Sequence, residues 1–150
     1  MYGALDISVS GLVAQRTRLN VISSNIANSG AILDPSGEPN PYQRRIAMFA
    51  PGGEIPGGRP GQTDGRLGVR VADIALDTAP FRAEWDPTHP AAAAEDDPER
   101  GVKKGYVYYP NVDREIEMVN ALQALRSYEA NIAAADATKS MMTTALRLIA

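Results

Sequence analysis

The sequence has 150 residues, and its 15 Lys and Arg residues against 18 Asp and Glu residues give a formal net charge of −3. This balance, without a basic patch, argues against a protein that binds nucleic acid by neutralising phosphates. Cysteine is absent, which excludes disulfides and thiolate metal sites. The longest unbroken apolar run, residues 46–50, is far shorter than the roughly 20 residues of a transmembrane helix, so direct membrane insertion is not expected.

The chain opens with a predicted helix over residues 4–28. Positions three and four residues apart along it form a stripe in which five of seven side chains are apolar: Leu5, Ser8, Leu12, Gln15, Leu19, Ile22 and Ile26. A repeat of seven residues is the coiled-coil period, although an ordinary amphipathic surface helix is the alternative. Gly11 and several β-branched residues lower the helix propensity, so this segment should be marginal alone. The first residues lack a basic region, and no cleaved signal peptide is expected.

The middle of the chain, residues 31–110, has a different character. It holds all 11 prolines and 10 of the 13 glycines, which excludes long helices and favours short strands and turns. Strands are predicted at residues 42–49, at 67–76 with a bulge near Ala72 and Asp73, at 80–85 and at 106–109, with a loop over 51–65. The sequence therefore predicts a small β domain between two helical segments, residues 1–30 and 111–150.

The last forty residues contain neither glycine nor proline, which predicts one long helix. Nine of the ten positions on its seven-residue stripe are apolar, Lys139 being the exception: Met118, Ala121, Leu125, Tyr128, Ile132, Ala135, Lys139, Met142, Leu146 and Ile149. Asn111 or Asp113 can cap its start, and Glu115 and Glu117 place negative charge at the positive end of the helix dipole. A helix of about 50 Å is longer than a compact domain of this size is wide, so it needs a partner.

Catalytic chemistry has little support in the sequence. The single histidine, His89, follows Asp86 in a stretch framed by Pro87 and Pro90. One interpretation is a hydrolase in which Asp86 and His89 form an acid–base pair, or a metal site completed by the acidic residues 95–97. The favoured interpretation is a turn in which Asp86 binds the backbone, because a histidine metal site needs further strong ligands at defined spacing. No enzyme activity, metal or cofactor is predicted.

Two short motifs carry a resemblance to a known family. At the end of the first helix, residues 24–28 resemble the N-terminal signature of the axial proteins of the bacterial flagellum, the rod, hook and hook-associated proteins. In the last helix, residues 126–131 resemble their C-terminal signature. The residues of the two motifs are Ser24, Asn25, Ile26, Ala27 and Asn28, and Arg126, Tyr128, Glu129 and Asn131.

Three further stretches narrow the resemblance to the short rod proteins of the basal body. They contain Tyr42 and Arg44, the turn at residues 86–90, and Pro110 and Asn111 before the long helix. The resemblance runs in collinear order over nearly the whole chain. It departs from the family after residue 28, where a common threonine is missing and residues 29–41 look like an insertion rich in turn-forming residues.

The resemblance implies a structural role. Axial proteins pack their terminal helices in the inner layer of a hollow tube, with the middle domain facing outward. The rod crosses the periplasm, transmits torque and lines the export channel, and its subunits leave the cytoplasm through the flagellar type III export apparatus without a cleaved signal. The implied partners are copies of this chain, the other proximal and distal rod proteins and the adaptor protein at the export gate.

The expected fold is therefore α+β, with long terminal helices in a coiled-coil-like layer and an inserted β domain. The predicted assembly interface consists of the apolar stripe residues of both helices: Leu5, Leu12, Leu19, Ile22, Ile26, Met118, Leu125, Tyr128, Ile132, Met142, Leu146 and Ile149. Lys139 is predicted to set register or to reach a carboxylate on a neighbour. The alternative function is a helical-hairpin scaffold or adaptor that binds a single partner in a discrete complex.

Overall fold

The computed structural model describes residues 2–52, 68–97 and 101–149. In chain order its elements are α1 (Tyr2–Ala27), β1 (Arg45–Pro51), β2 (Val69–Leu76), β3 (Arg82–Trp85), β4 (Tyr106–Tyr109) and α2 (Arg114–Ile149). Two long terminal helices and a middle of short strands confirm the predicted α+β class. Residues 53–67, which include most of the predicted loop and the first residue of the second predicted strand, lie outside the described residues.

Side chains that follow the last turn of α1 satisfy its free carbonyls. Asn28 Nδ2 donates to the Ser24 carbonyl at 2.8 Å, and the Ser29 hydroxyl donates to the Ile26 carbonyl at 2.8 Å. The last four carbonyls of a helix have no partner inside it, and these bonds provide side-chain donors to two of them. Asn25, in the last turn, does not act in this way, because its side chain binds the backbone of β1.

Asp113 caps the start of α2. Its Oδ1 accepts bonds from the backbone N–H groups of Glu115 at 2.9 Å and Ile116 at 3.1 Å, which is the geometry of an N-cap residue. Asn111, the other predicted cap, accepts a bond from the Arg44 backbone N–H at 2.8 Å. The helix therefore begins at Arg114, slightly later than the sequence suggested.

The strands form two separate two-stranded sheets. In the first, β1 and β2 are flanked by bonds from Gly52 N to Gly68 O and from Asp77 N to Arg44 O, both 2.8 Å. β1 begins three residues after the predicted start, since the Arg44 N–H is used by Asn111. In the second sheet β3 pairs antiparallel with β4, from Arg82 opposite Tyr109 to Trp85 opposite Tyr106.

The predicted insertion forms a tight turn. Leu33 and Pro39 make an antiparallel bridge, and Asp34 Oδ1 accepts bonds from the N–H groups of Ser36 at 2.9 Å and Glu38 at 3.0 Å. Gly37 has a φ of 85°, a backbone conformation that favours glycine. The turn-forming composition of residues 29–41 thus has a direct structural use.

The contacts divide the chain into two compact units. The first comprises the described residues of Met1–Val21, Ala47–Ile74 and Val119–Ala150, and the second those of Ile22–Ile46 and Ala75–Met118. Buried apolar side chains in the first unit are Ala14, Val21 and Ala124, and in the second Ile22, Ala91 and Val107. Within the described ranges, neither helix is apolar enough over a sufficient length to cross a membrane.

Candidate assembly interface

One face of α2 within the first unit is made largely of small side chains and is the less exposed one. Its buried or half-buried positions repeat every three and four residues: Ala121, Ala124, Tyr128, Asn131, Ala135, Thr138, Met142 and Ala145. This spacing keeps the positions in line along the helix. Ala121, Tyr128, Ala135 and Met142 belong to the stripe predicted from the sequence.

The larger apolar side chains of α2 lie beside that face and are exposed. Leu125 is 44 % exposed, Ile132 40 % and Leu146 68 %. Each follows a less exposed position by one residue, which is about 100° around the helix. We call the exposed side chains on this one side of the helix, Leu122, Leu125, Ile132 and Leu146, the open apolar face of α2.

The predicted interface residues therefore fall into two groups. Those on α1 are buried at Ile22 and half-buried at Leu5, Leu12, Leu19 and Ile26. On α2, Tyr128 and Met142 are half-buried, whereas Leu125, Ile132 and Leu146 are on the open apolar face. Met118, in the second unit, is exposed. The side chain of Ile149 lies outside the described part of the chain. Of the C-terminal motif, Asn131 is half-buried, and Arg126 and Glu129 are exposed.

Gly11 of α1 closely approaches Asn131 of α2 in the first unit. A Cβ atom added at Gly11 would lie 2.8 Å from Nδ2 and 2.9 Å from Oδ1 of Asn131. The Asn131 side chain is itself held by a 2.9 Å bond from Nδ2 to the Ser127 carbonyl. The glycine that lowers the helix propensity of α1 thus provides the space that this motif asparagine occupies.

The second unit contains a cluster of polar side chains from distant parts of the sequence. Asn25 on α1 is its first member and is 1 % exposed. Asn25 Oδ1 accepts bonds from the Arg45 N–H and the Tyr42 hydroxyl, both 3.0 Å, and its Nδ2 donates to the Arg45 carbonyl at 2.8 Å. Asn25 Nδ2 also lies 3.1 Å from Oε2 of Glu117. One asparagine side chain therefore joins α1, β1 and α2.

Arg44 and Glu117 form an ion pair at the centre of this cluster. Arg44 donates from Nη2 at 2.6 Å and from Nε at 2.9 Å to Oε1 of Glu117. The Glu117 side chain is 1 % exposed, and that of Arg44 is 23 % exposed. Burying a carboxylate without partners costs free energy. At Glu117 the two bonds from the guanidinium and the third from Asn25 offset this cost.

Asp77 and Asn111 complete the cluster. Arg44 Nη1 donates to Asp77 Oδ2 at 3.1 Å, and Asn111 Nδ2 donates to the Ala79 carbonyl at 3.1 Å. Bonds from the Ala79 N–H and from Arg44 hold the pKa of Asp77 below its ordinary value. Burial opposes the charge of Arg44, but hydrogen bonds to Glu117 and Asp77 outweigh it and raise the pKa of the guanidinium. Both groups are therefore charged near neutral pH.

We define the polar cluster as Asn25, Tyr42, Arg44, Asp77, Asn111 and Glu117. The resemblance had singled out four of its members, Asn25, Tyr42, Arg44 and Asn111, and the structure brings these four together. Glu117 and Asp77 were missed as members. Glu117 was recognisable only as a carboxylate in the first turns of a helix. Such carboxylates are common there, so nothing in the sequence indicated a buried ion pair.

The turn that contains the single histidine is held by local bonds. Asp86 Oδ1 accepts from the Thr88 N–H at 3.1 Å and from its hydroxyl at 2.7 Å, and the pKa of Asp86 is lowered by these bonds. His89 Nδ1 accepts from the Ala91 N–H at 3.0 Å. Asp86 thus binds the backbone as the turn interpretation predicted.

Comparison with known proteins gives consistent matches at both ends of the chain and along its length. Residues 5–29 match the family model described as flagella basal body rod protein, and residues 103–148 match the one described as flagellar basal body rod FlgEFG protein C-terminal. The flagellar basal-body rod protein FlgC of Yersinia enterocolitica is 43 % identical over 95 % of this chain and 93 % of its own length.

Relatives from other bacterial groups cover slightly more of the chain. The flagellar basal-body rod protein FlgC of Borreliella burgdorferi is 39 % identical over 99 % of this chain and 97 % of its own length. That of Bacillus subtilis is 38 % identical over 98 % and 97 %. These matches indicate a structural component of the flagellar basal-body rod and not an enzyme, so the hydrolase interpretation of Asp86 and His89 is dropped. The chain belongs to the FlgC family of flagellar basal-body rod proteins.

Proposed function

We propose that the open apolar face of α2 is the surface through which this rod subunit packs against neighbouring subunits. The observation that carries this proposal is the exposure of large apolar side chains at regular helical positions, with Leu125, Ile132 and Leu146 each between 40 % and 68 % exposed. Contiguous exposed apolar surface of this kind typically marks an interaction site. The polar cluster has its hydrogen-bond partners within the second unit, and the small-residue face is the less exposed one, so we assign contact with neighbours to the open apolar face.

The energetics favour burial of this face on assembly. Full burial of one Leu, Ile or Met side chain contributes about 1.5–3 kcal/mol. Several such side chains along one helix are needed to offset the loss of translational, rotational and side-chain freedom that association costs. A repeated face along α2 supplies them in a line, as a coiled-coil-like layer requires.

The proposed neighbours are copies of this chain, the other proximal rod proteins, the distal rod proteins and the adaptor at the export gate. Membership of the rod family supports assembly with basal-body components in general. In this proposal residues 1–30 and 111–150 form the inner core of a proximal rod that crosses the periplasm, transmits torque and lines the export channel. The described part of residues 31–110 faces outward, and the subunit is exported through the flagellar type III apparatus.

A matched pair of charge insertions tests the role of the open apolar face. Leu125→Glu places a carboxylate on it, whereas Gln123→Glu places one at a nearby exposed polar position of the same helix. We expect Leu125→Glu to abolish swimming and to leave the subunit out of purified basal bodies, because assembly would bury an unpaired charge. Gln123→Glu should swim and assemble normally. Normal rods with Leu125→Glu, at wild-type subunit content, would contradict the proposal.

A further inference from the structure

We propose that Glu117 is a positioning residue that fixes the end of α1, the start of β1 and the start of α2 in one arrangement before the subunit joins a rod. This proposal does not depend on which neighbours the open apolar face meets. It concerns the second unit alone, and its evidence is the bonding of the polar cluster.

The cluster joins segments that are far apart in sequence. Glu117 accepts bonds from Asn25, 92 residues away, and from Arg44, 73 residues away. The two bonds can form together only when the end of α1, the residue before β1 and the start of α2 meet at one register. Buried polar groups that must find particular partners are a known means of selecting one arrangement among several that bury similar apolar area.

The second unit does not need an outside partner to satisfy these groups. Glu117 Oε1 and Oε2 both have donors within the unit, and Asn25 uses both atoms of its amide there. The open apolar face differs, because its large side chains are exposed. We therefore infer that the described residues of Ile22–Ile46 and Ala75–Met118 are ordered in the unassembled subunit, including the adjoining ends of both terminal helices.

Two backbone amides report directly on this arrangement. The Arg45 N–H donates to Oδ1 of Asn25 on α1 at 3.0 Å, and the Arg44 N–H donates to Oδ1 of Asn111 at 2.8 Å. Their acceptors are side chains of distant segments, so protection of these amides requires those segments to be docked. Exchange of an amide that is bonded to a carbonyl of its own helix or sheet would not make that distinction.

The test is amide hydrogen exchange on the full-length monomer, with the exchange of each amide monitored by NMR. We compare the wild type with Glu117→Gln and with Glu115→Gln, which removes the same charge two residues earlier at an exposed position. We expect the Arg44 and Arg45 amides to be protected in the wild type. Glu117→Gln should reduce their protection about a hundredfold or more, since removal of one partner of a buried ion pair is strongly destabilising. Glu115→Gln should change it less than about threefold, as surface substitutions do.

A second variant keeps the test decisive if Glu117→Gln unfolds the whole unit. Arg44→Lys retains the positive charge but not the forked pair of N–H donors, and it should reduce protection of the Arg45 amide about tenfold. General loss of protection in the second unit of Glu117→Gln, with Glu115→Gln unaffected, also supports the proposal. Unprotected Arg44 and Arg45 amides in the wild-type monomer would overturn it. So would protection in Glu117→Gln within about threefold of the wild type.

Discussion

The Nη2 atom of Arg44 lies 2.6 Å from Oε1 of Glu117, although the two residues are 73 positions apart in the chain. Glu117 is almost fully buried, whereas Arg44 keeps part of its side chain in solvent. The pair therefore combines a costly buried carboxylate with a cation that also reaches Asp77. The contribution of this ion pair to the free energy of unfolding is best measured by substituting each residue singly and then both together.

Arg44→Met should lower the free energy of unfolding by about 3–5 kcal/mol, since it leaves the buried Glu117 carboxylate without its cation. Glu117→Met should lower it less, because Arg44 keeps its pair with Asp77 and part of its solvent contact. The double variant should lose less than the sum of the two, by about 1–3 kcal/mol. Urea unfolding followed by the fluorescence of Trp85, the single tryptophan of the chain, measures this in the second unit. Strictly additive losses would mean that the two side chains do not act as a pair.

Gly11→Ala should impair assembly. An alanine Cβ would approach the Asn131 side chain to 2.8 Å, and overpacking of this kind costs about 1–3 kcal/mol, which exceeds the gain of up to about 1 kcal/mol in helix propensity. The measurement is the diameter of the swimming halo in soft agar, with rod content of basal bodies as a second readout.

Shortening the opposing side chain provides the control for Gly11→Ala. Asn131→Ala in the same chain removes the atoms that the new methyl group meets, so the double variant should swim better than Gly11→Ala. Asn131→Ala alone is measured beside it to separate the effect of the motif residue. If the double variant swims no better than Gly11→Ala, the contact between these two positions is not the cause.

Acid should weaken the second unit through Asp77. The pKa of Asp77 is held below its ordinary value of 3.8 by the Ala79 N–H and by Arg44, so the folded state favours the carboxylate. Its stabilisation is fully present above the unfolded pKa and is lost as the pH falls through the lower folded value. The difference in unfolding free energy between wild type and Asp77→Asn should be constant above about pH 5 and should shrink below 3.8. A difference that stays constant throughout would exclude this contribution.

His89→Ala should leave swimming intact. The imidazole accepts a bond from the Ala91 N–H within a local turn, and loss of one such bond costs about 1 kcal/mol. A soft-agar comparison of the variant with wild type checks this expectation. Complete loss of motility at normal subunit levels would show that His89 has a role beyond the turn.

The helices and short strands could be predicted because local chemistry decides them. Glycine and proline confine the strands to the middle of the chain, and Asp113 was recognisable as a cap from its place before a helical run. The β4 strand agrees with the predicted residues 106–109 because its four consecutive aromatic and β-branched residues favour a strand. A strand boundary differs from the prediction where a tertiary hydrogen bond competes with strand pairing. The Arg44 N–H donates to the Asn111 side chain, and β1 begins only at Arg45.

The two faces of α2 could not be separated from the sequence. Apolar periodicity selected the large side chains, such as Leu125 and Ile132, whereas the less exposed face also uses the small or polar Ala124 and Asn131. Gly11 permits close approach at Asn131, a fact that depends on which residue of α1 comes opposite. Glu117 was missed as a cluster member for the same reason, because its partners lie in other segments.

Maleimide labelling of single cysteines tests most directly whether the open apolar face is buried in the rod. The chain has no cysteine, so Leu125→Cys reports on that face and Ala94→Cys, also at an exposed position, serves as the control in residues 31–110. Both should react readily in the monomer. In purified basal bodies of motile cells, we expect Leu125→Cys to react at least about tenfold more slowly, because burial removes the thiol from solvent. Ala94→Cys should keep its monomer rate. Leu125→Cys that labels as fast in assembled rods as in the monomer would contradict the proposed role of this face.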